Sequence, residues 1–182
     1  LTRLFYEKMF KKNPEVRPFF NPANQVSGGQ QRALAGAIVA YATHIEKLAA
    51  LGPAVELIAH KHASLGVRPE HYPIVGSNLL DAIAELLGEA ATPEVLAGWG
   101  EAYNFLASIF IGREQQLYDE HQTRHGWQGF RMFRVARRVL ESDEITSFVL
   151  EPTDGKLNGD FQAGQYLTVR VPTGDGGSTM RN

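Results

Sequence analysis

Through roughly the first two thirds of the chain, apolar side chains return every three to four positions, the period of helices with one buried face. Leu1, Leu4, Phe5, Met9 and Phe10 predict a helix over 1–12, and Pro14, Pro18 and Pro22 then break the chain into a tight corner around Phe19-Phe20. From Gly28 to about Leu51 the period continues in an alanine-rich context and predicts one long helix. Gly52-Pro53 restarts the chain, and a helix over 53–64 closes at Leu65-Gly66. Pro69 opens another helix, to about Leu87-Gly88, and Thr92-Pro93-Glu94 supplies the cap and first turn of the longest one, to about residue 121. The polar stretch from His121 to Gly129 reads as a joint. Beyond it, 132–140, 145–151 and 165–171 are rich in β-branched and aromatic residues between turn formers and predict strands. Three strands cannot close a barrel, so the tail reads as the opening of a β domain.

Several polar residues interrupt these apolar stripes. Val55, Ile58 and His62 share one helical face, which places an imidazole where a metal or haem ligand would stand. Positions two apart on a helix point about 200° from one another, so His60 cannot share that face. A lone histidine on an apolar face is more often a satisfied core residue; its company strengthens the ligand reading. Tyr72, Gly76, Leu79 and Ile83 form one stripe, and Trp99, Tyr103, Leu106, Phe110, Glu114 and Leu117 form another. A carboxylate on a buried stripe needs a partner. The candidates are Tyr72 and the His62 imidazole, or, in a plainer reading, Arg113 or a helix end near solvent. The opposite wall would come from Gln30, Leu34, Ala37 and Tyr41 with Tyr6 and Phe10; Gln31 also fits a face with Leu34, so spacing leaves the two glutamines open.

Composition changes this picture mainly by exclusion. Of 182 residues, 43% are hydrophobic and 21% charged, as in an ordinary globular protein, and the net charge of -2 argues against a nucleic-acid surface. The run Arg131 to Arg138 alternates basic and apolar residues and reads as the solvent face of a strand. The absence of cysteine excludes disulfides, thiolate ligation, iron–sulfur clusters and covalent haem attachment, and fits a reducing compartment. No stretch reaches the length of a membrane span, and no signal-peptide pattern opens the chain, so a cytoplasmic protein is expected. The start at Leu1 inside a helical pattern and the stop after a glycine-rich turn lead us to expect an internal piece of a longer protein.

The blocks Phe5-Tyr6-Glu7-Lys8-Met9-Phe10, Pro18-Phe19-Phe20-Asn21, Ala59-His60-Lys61-His62, Phe110-Ile111-Gly112-Arg113-Glu114 and Gly126-Trp127-Gln128-Gly129-Phe130 resemble, in order and spacing, those of the flavohaemoglobins. That family fuses a globin to a ferredoxin-reductase-like unit binding FAD and NAD(P)H. The similarity covers essentially the whole chain, and a bare globin would not continue into Gly164-Gln165-Tyr166 and Arg181.

The resemblance implies an all-α globin domain over 1–122 lacking its first helix, a joint over 123–130, and over 131–182 the first strands of a truncated β-barrel FAD-binding domain. It implies that His62 is the proximal ligand of haem b iron, with Tyr72 and Glu114 as the relay behind it. Tyr6 and Gln30 would be the distal polar residues, Leu34 the distal aliphatic residue and Phe20 the corner ring on the porphyrin. Lys61 would sit near the haem edge, Tyr166 on the flavin, and Arg181 with Asn182 would open the Arg-x-Tyr-Ser FAD segment, which is interrupted here. The implied activity is nitric oxide dioxygenation, turning nitric oxide and O2 into nitrate with electrons from NAD(P)H through FAD, by a monomer with no nucleic-acid partner. The alternative is a globin that binds or senses dioxygen without this activity.

Overall fold

The computed structural model describes residues 1–156, 160–161, 163–174 and 176–181. The opening helix, α1 (Thr2–Lys12), buries Phe5, Tyr6 and Met9 and ends at Asn13. A 3-10 turn over Pro14–Phe19 buries Val16. The short α2 (Pro22–Val26) starts where the Asn21 side chain accepts the Ala23 N–H at 3.0 Å. Next come α3 (Gly29–Thr43), a 3-10 turn at Leu48–Leu51, and α4 (Gly52–Leu65). Gly66 closes α4 in the left-handed region, φ 77°, which lets the Val67 N–H reach back to the His62 carbonyl at 3.0 Å. Two longer helices follow, α5 (His71–Leu87) and α6 (Pro93–His125), the second capped by Thr92 Oγ1 accepting the Val95 N–H at 3.3 Å.

The predicted long helix over 28–51 is shorter than expected. α3 ends at Thr43, with Thr43 Oγ1 donating to Val39 O at 2.8 Å and both the backbone N–H and Nδ1 of His44 bonding Ala40 O, at 3.1 and 2.9 Å. α6, conversely, runs four residues past the expected end.

Two antiparallel pairs make up the strands: β1 (Phe133–Leu140) with β2 (Thr146–Pro152), and β3 (Val169–Pro172) with β4 (Ser178–Arg181). Arg134, Arg137 and Arg138 are exposed on β1, but so is Val135, and Arg131 precedes the strand with its side chain covered beside Asp154, so the run is not a simple solvent face; a bulge between Val135 and Arg137 shifts the register. The third strand begins at Val169 rather than residue 165, because Gly164 sits in a turn at φ 82°. β4 was not predicted at all; four residues are too few to display an alternation.

The helical core joins α1, the Pro14–Phe19 turn and α5 through Phe5, Tyr6, Met9, Val16, Leu79, Ala82 and Ile83. Fully burying each of the larger of these side chains contributes about 1.5–3 kcal/mol. A hydrogen bond from Asn78 Nδ2 to Asn13 Oδ1, 3.0 Å, ties the end of α1 to the same face of α5. Tyr41 OH donates to Ala102 O at 2.9 Å and links α3 to α6. The chain divides into two compact units, one from Leu1 to Gln115 with the segment from Tyr166 onward, the other Gln116–Gln165. Among the described residues no helix is long and apolar enough to cross a membrane.

Candidate functional site

Helices α4, α5 and α6 bring His62, Tyr72 and Glu114 together. Glu114 is 2% exposed, and its Oε1 accepts two hydrogen bonds, from Tyr72 OH at 2.5 Å and from His62 Nδ1 at 2.7 Å. The His62 Nδ1 also lies 3.2 Å from Tyr72 OH. The carboxylate and the phenolic oxygen therefore lie on the same side of the imidazole, with the phenolic proton given to the carboxylate. Because a carboxylate only accepts, Nδ1 carries a proton, and in the neutral ring the lone pair is on Nε2. The plainer partner for Glu114 is corrected by the structure: Arg113 turns instead to Glu56, with Nη2 2.6 Å from Oε1, and its guanidinium holds the Glu56 carboxyl below the usual range. His60 is exposed and pairs with Glu56 at 3.0 Å, well apart from the relay.

Tyr72 is itself held from behind. Tyr103 OH donates to the Tyr72 carbonyl at 2.6 Å, and the Tyr103 ring lies so close to α5 that a Cβ on Gly76 would meet its Cε1 at 2.6 Å. Gly76 is thus the position that lets α6 approach. The sequence placed Gly76 and Tyr103 on facing stripes but gave no sign of this contact, which depends on the depth of approach of two helices. Buried Asn78, one turn beyond Ile74 whose carbonyl it bonds at 2.8 Å, was missed altogether. Its signal was a polar residue one turn after Ile74 and one turn before Ala82, on the apolar side of the helix.

Tyr6 is 6% exposed on α1, and burial pushes its hydroxyl up to about 12, opposed by a hydrogen bond with the Gln30 side chain. The Gln31 amide turns to Gln25 Oε1 at 3.0 Å, and Gln31 lines the same cavity as Tyr6, so both glutamines stand beside the phenol. Phe20 packs edge-on to Tyr6 and Phe10, ring centroids 5.7 and 5.2 Å away, and Leu34 packs half-buried against the core. Lys61 Nζ stands 5.8 Å from the centre of the Tyr166 ring. Tyr166 precedes β3 and is not in a strand. Arg181 Nη1 turns back to Thr179 Oγ1 and the Met180 carbonyl, 2.6 and 2.9 Å, and Asn182 lies outside the described residues.

These residues fit an imidazole-ligated planar prosthetic group. Nδ1 of His62 is committed to the relay, so Nε2 is the nitrogen that can coordinate, and Val55, Ile58 and His62 are each only half covered by protein. A buried phenol bonded to an amide offers small-ligand hydrogen bonding from a different helix pair.

The sequence profile of the family described as Globin matches residues 3–110. A flavohemoprotein of Rhodopirellula baltica is 59% identical over 172 residues, covering 94% of this chain and 42% of the relative. The crystal structure of a Malassezia yamatoensis flavohemoglobin with bound FAD and heme superposes with a TM-score of 0.84 at 33% identity, over 99% of this chain and 47% of that one. An engineered carbene transferase of Rhodothermus marinus, described as a candidate nitric oxide dioxygenase, has a TM-score of 0.61 at 38% identity, over 65% of this chain and 81% of that one. The helical body and its buried relay define a globin followed by the first strands of a reductase domain. The chain belongs to the globin family and, with these relatives, to the flavohaemoglobins. It spans less than half the length of the flavohaemoglobin relatives it matches.

Proposed function

We propose that this chain is the haem-binding part, with the opening of the flavin-binding part, of a cytoplasmic nitric oxide dioxygenase. The domain division we assign is 1–122 for the haem domain, 123–130 for the joint and 131–182 for the start of the FAD barrel. The observation that carries the reading is the buried Glu114 carboxylate bonded to both His62 and Tyr72. Haem held at His62 supplies the redox iron with which nitric oxide and dioxygen combine to nitrate, using electrons that NAD(P)H delivers through FAD.

The chain's own groups set the conditions for this chemistry. Glu114 draws the Nδ1 proton of His62 toward itself, which gives the imidazole anionic character and makes Nε2 a stronger electron donor. Tyr72 shares the same carboxylate oxygen and fixes its position, while Tyr103 holds the Tyr72 backbone. Tyr6 stays protonated at any physiological pH because burial raises its hydroxyl to about 12, so it remains a hydrogen-bond donor, and Gln30 orients it. Strong electron donation serves a reductive enzyme and is not needed by a reversible oxygen carrier, which favours the dioxygenase over the oxygen-binding alternative.

The test is steady turnover of the full-length parent protein with nitric oxide, O2 and NADH or NADPH. Nitrate should form, with one NAD(P)H oxidised for every two nitric oxide molecules consumed. Dioxygen binding without pyridine nucleotide oxidation would overturn the assignment in favour of an oxygen carrier.

A further inference from the structure

A second imidazole cluster stands at the end of α6, apart from the relay. His121 and His125 are one turn apart, with ring centroids separated by 4.5 Å. His121 Nδ1 lies 2.8 Å from the Trp127 carbonyl oxygen, and a carbonyl only accepts, so Nδ1 carries a proton and Nε2 is the nitrogen left for a ligand in the neutral ring. His125 Nδ1 is buried without a hydrogen-bond partner among the described residues. Burial first, then the neighbouring His121 and Arg124, lower the pKa of that ring, with Asp160 acting in the opposite sense. Trp127 packs against both imidazoles, at 4.8 Å from His121 and 5.5 Å from His125, and the Arg131 guanidinium lies 4.8 Å from its ring centre.

We propose that His121 and His125 chelate one borderline divalent transition-metal ion, Cu2+ or Zn2+, through a ring nitrogen each. Two imidazoles one turn apart on a helix form a bidentate set whose geometry the helix already fixes. Among the described residues no group of three or more His, Cys, Asp or Glu is arranged to hold a metal, so solvent completes the coordination. With imidazole ligands and no oxygen cage, Mg2+ and Ca2+ are poor occupants, and affinity follows the usual order with Cu2+ ahead of Zn2+. Neither histidine takes part in the relay, so the site is independent of haem. An ion there would cross-link successive turns at the end of α6 beside Trp127 and would be released in acid as the imidazoles protonate.

The experiment is Cu2+ and Zn2+ titration of the whole chain, followed by calorimetry and by electron paramagnetic resonance of the copper form. We expect one Cu2+ per chain at this site, with hyperfine coupling to two imidazole nitrogens. Affinity should fall about tenfold or more in His121→Gln and in His125→Gln, and remain unchanged in His60→Gln and Trp127→Phe. The wild-type hyperfine pattern decides the matter even if a histidine variant misfolds. Coupling to a single nitrogen, or undiminished affinity in a folded His125→Gln chain, would overturn the proposal.

Discussion

Replacing Glu114 with Gln separates the charge of the relay from its shape. The amide has nearly the carboxylate's volume, and its oxygen can still accept the His62 Nδ1–H now held at 2.7 Å, but the formal charge is gone. Bonds to a charged partner are worth about 1.5–3 kcal/mol against about 0.5–1.5 kcal/mol for neutral ones. His62 therefore loses on the order of 1–2 kcal/mol of stabilisation in whichever state places more positive charge on the imidazole. In a haem-loaded chain that is the oxidised state. For a one-electron couple about 1.4 kcal/mol corresponds to about 59 mV, so the potential should rise by about 40–85 mV. Glu114 is 2% exposed, so solvent screening does little to dilute the effect. Spectroelectrochemical titration of wild-type and Glu114→Gln chains measures it, with circular dichroism and haem content as controls on folding. An unchanged potential in a folded, haem-replete variant would refute the electronic role and leave Glu114 a structural carboxylate.

Haem retention should be lost in His62→Ala and preserved in His60→Ala, because only His62 faces the relay; equal loss in both, read from Soret absorbance after gel filtration, would contradict the assignment. Gly76→Ala would put a Cβ 2.6 Å from Tyr103 Cε1, so we expect a loss of about 1–3 kcal/mol, seen as a drop of several degrees in Tm, whereas an unchanged Tm would show that the two helices have slack. For Tyr6, the folded hydroxyl at about 12 lies above its ordinary 10.0. The stability it carries is complete below about pH 10 and is lost as pH rises toward about 12, some ~3 kcal/mol in all. Tyr6→Phe should flatten that part of a urea-midpoint curve against pH, leaving the decline due to Tyr103, whose hydroxyl burial also raises; a curve of undiminished slope would count against it.

The relay was legible in the sequence because it breaks a rule there. Glu114 stands on a stripe with Phe110 and Leu117, and a buried carboxylate obliges the fold to supply donors, for which His62 and Tyr72 on neighbouring stripes were candidates beside Arg113 and a helix end. The start of α6 was equally readable, since Thr92 caps it through a local side-chain bond, whereas α2, capped by Asn21, lies where the prolines were read only as a corner. What failed had no local marker or depended on non-local contacts. The end of α3 at Thr43 carries neither a glycine nor a proline to mark it in the sequence. The onset of β3 turns on the Gly164 backbone, and β4 exists only as the partner of β3. The Gly76–Tyr103 contact depends on interhelical distance, which no periodicity encodes.

The placement of Tyr6 and of Tyr72 shares one physical cause. Phe5 and Met9 on α1 pack with Leu79 and Ile83 on α5, and the bond from Asn78 to Asn13 fixes the register of the two helices. Tyr6 is part of that packing, and Tyr72 lies two turns before Leu79 on the same helix. A cavity opened in this core would therefore move Tyr6 and the His62–Tyr72–Glu114 cluster together. Core variants such as Met9→Ala, at a residue with 0% exposure, act on both polar groups at once. Substitutions of Glu114 or Gln30 act on one. A change confined to the iron's potential thus points to the relay, and a change in ligand hydrogen bonding alone points to Tyr6 and Gln30. A joint change accompanied by lost stability traces back to the contact of α1 with α5.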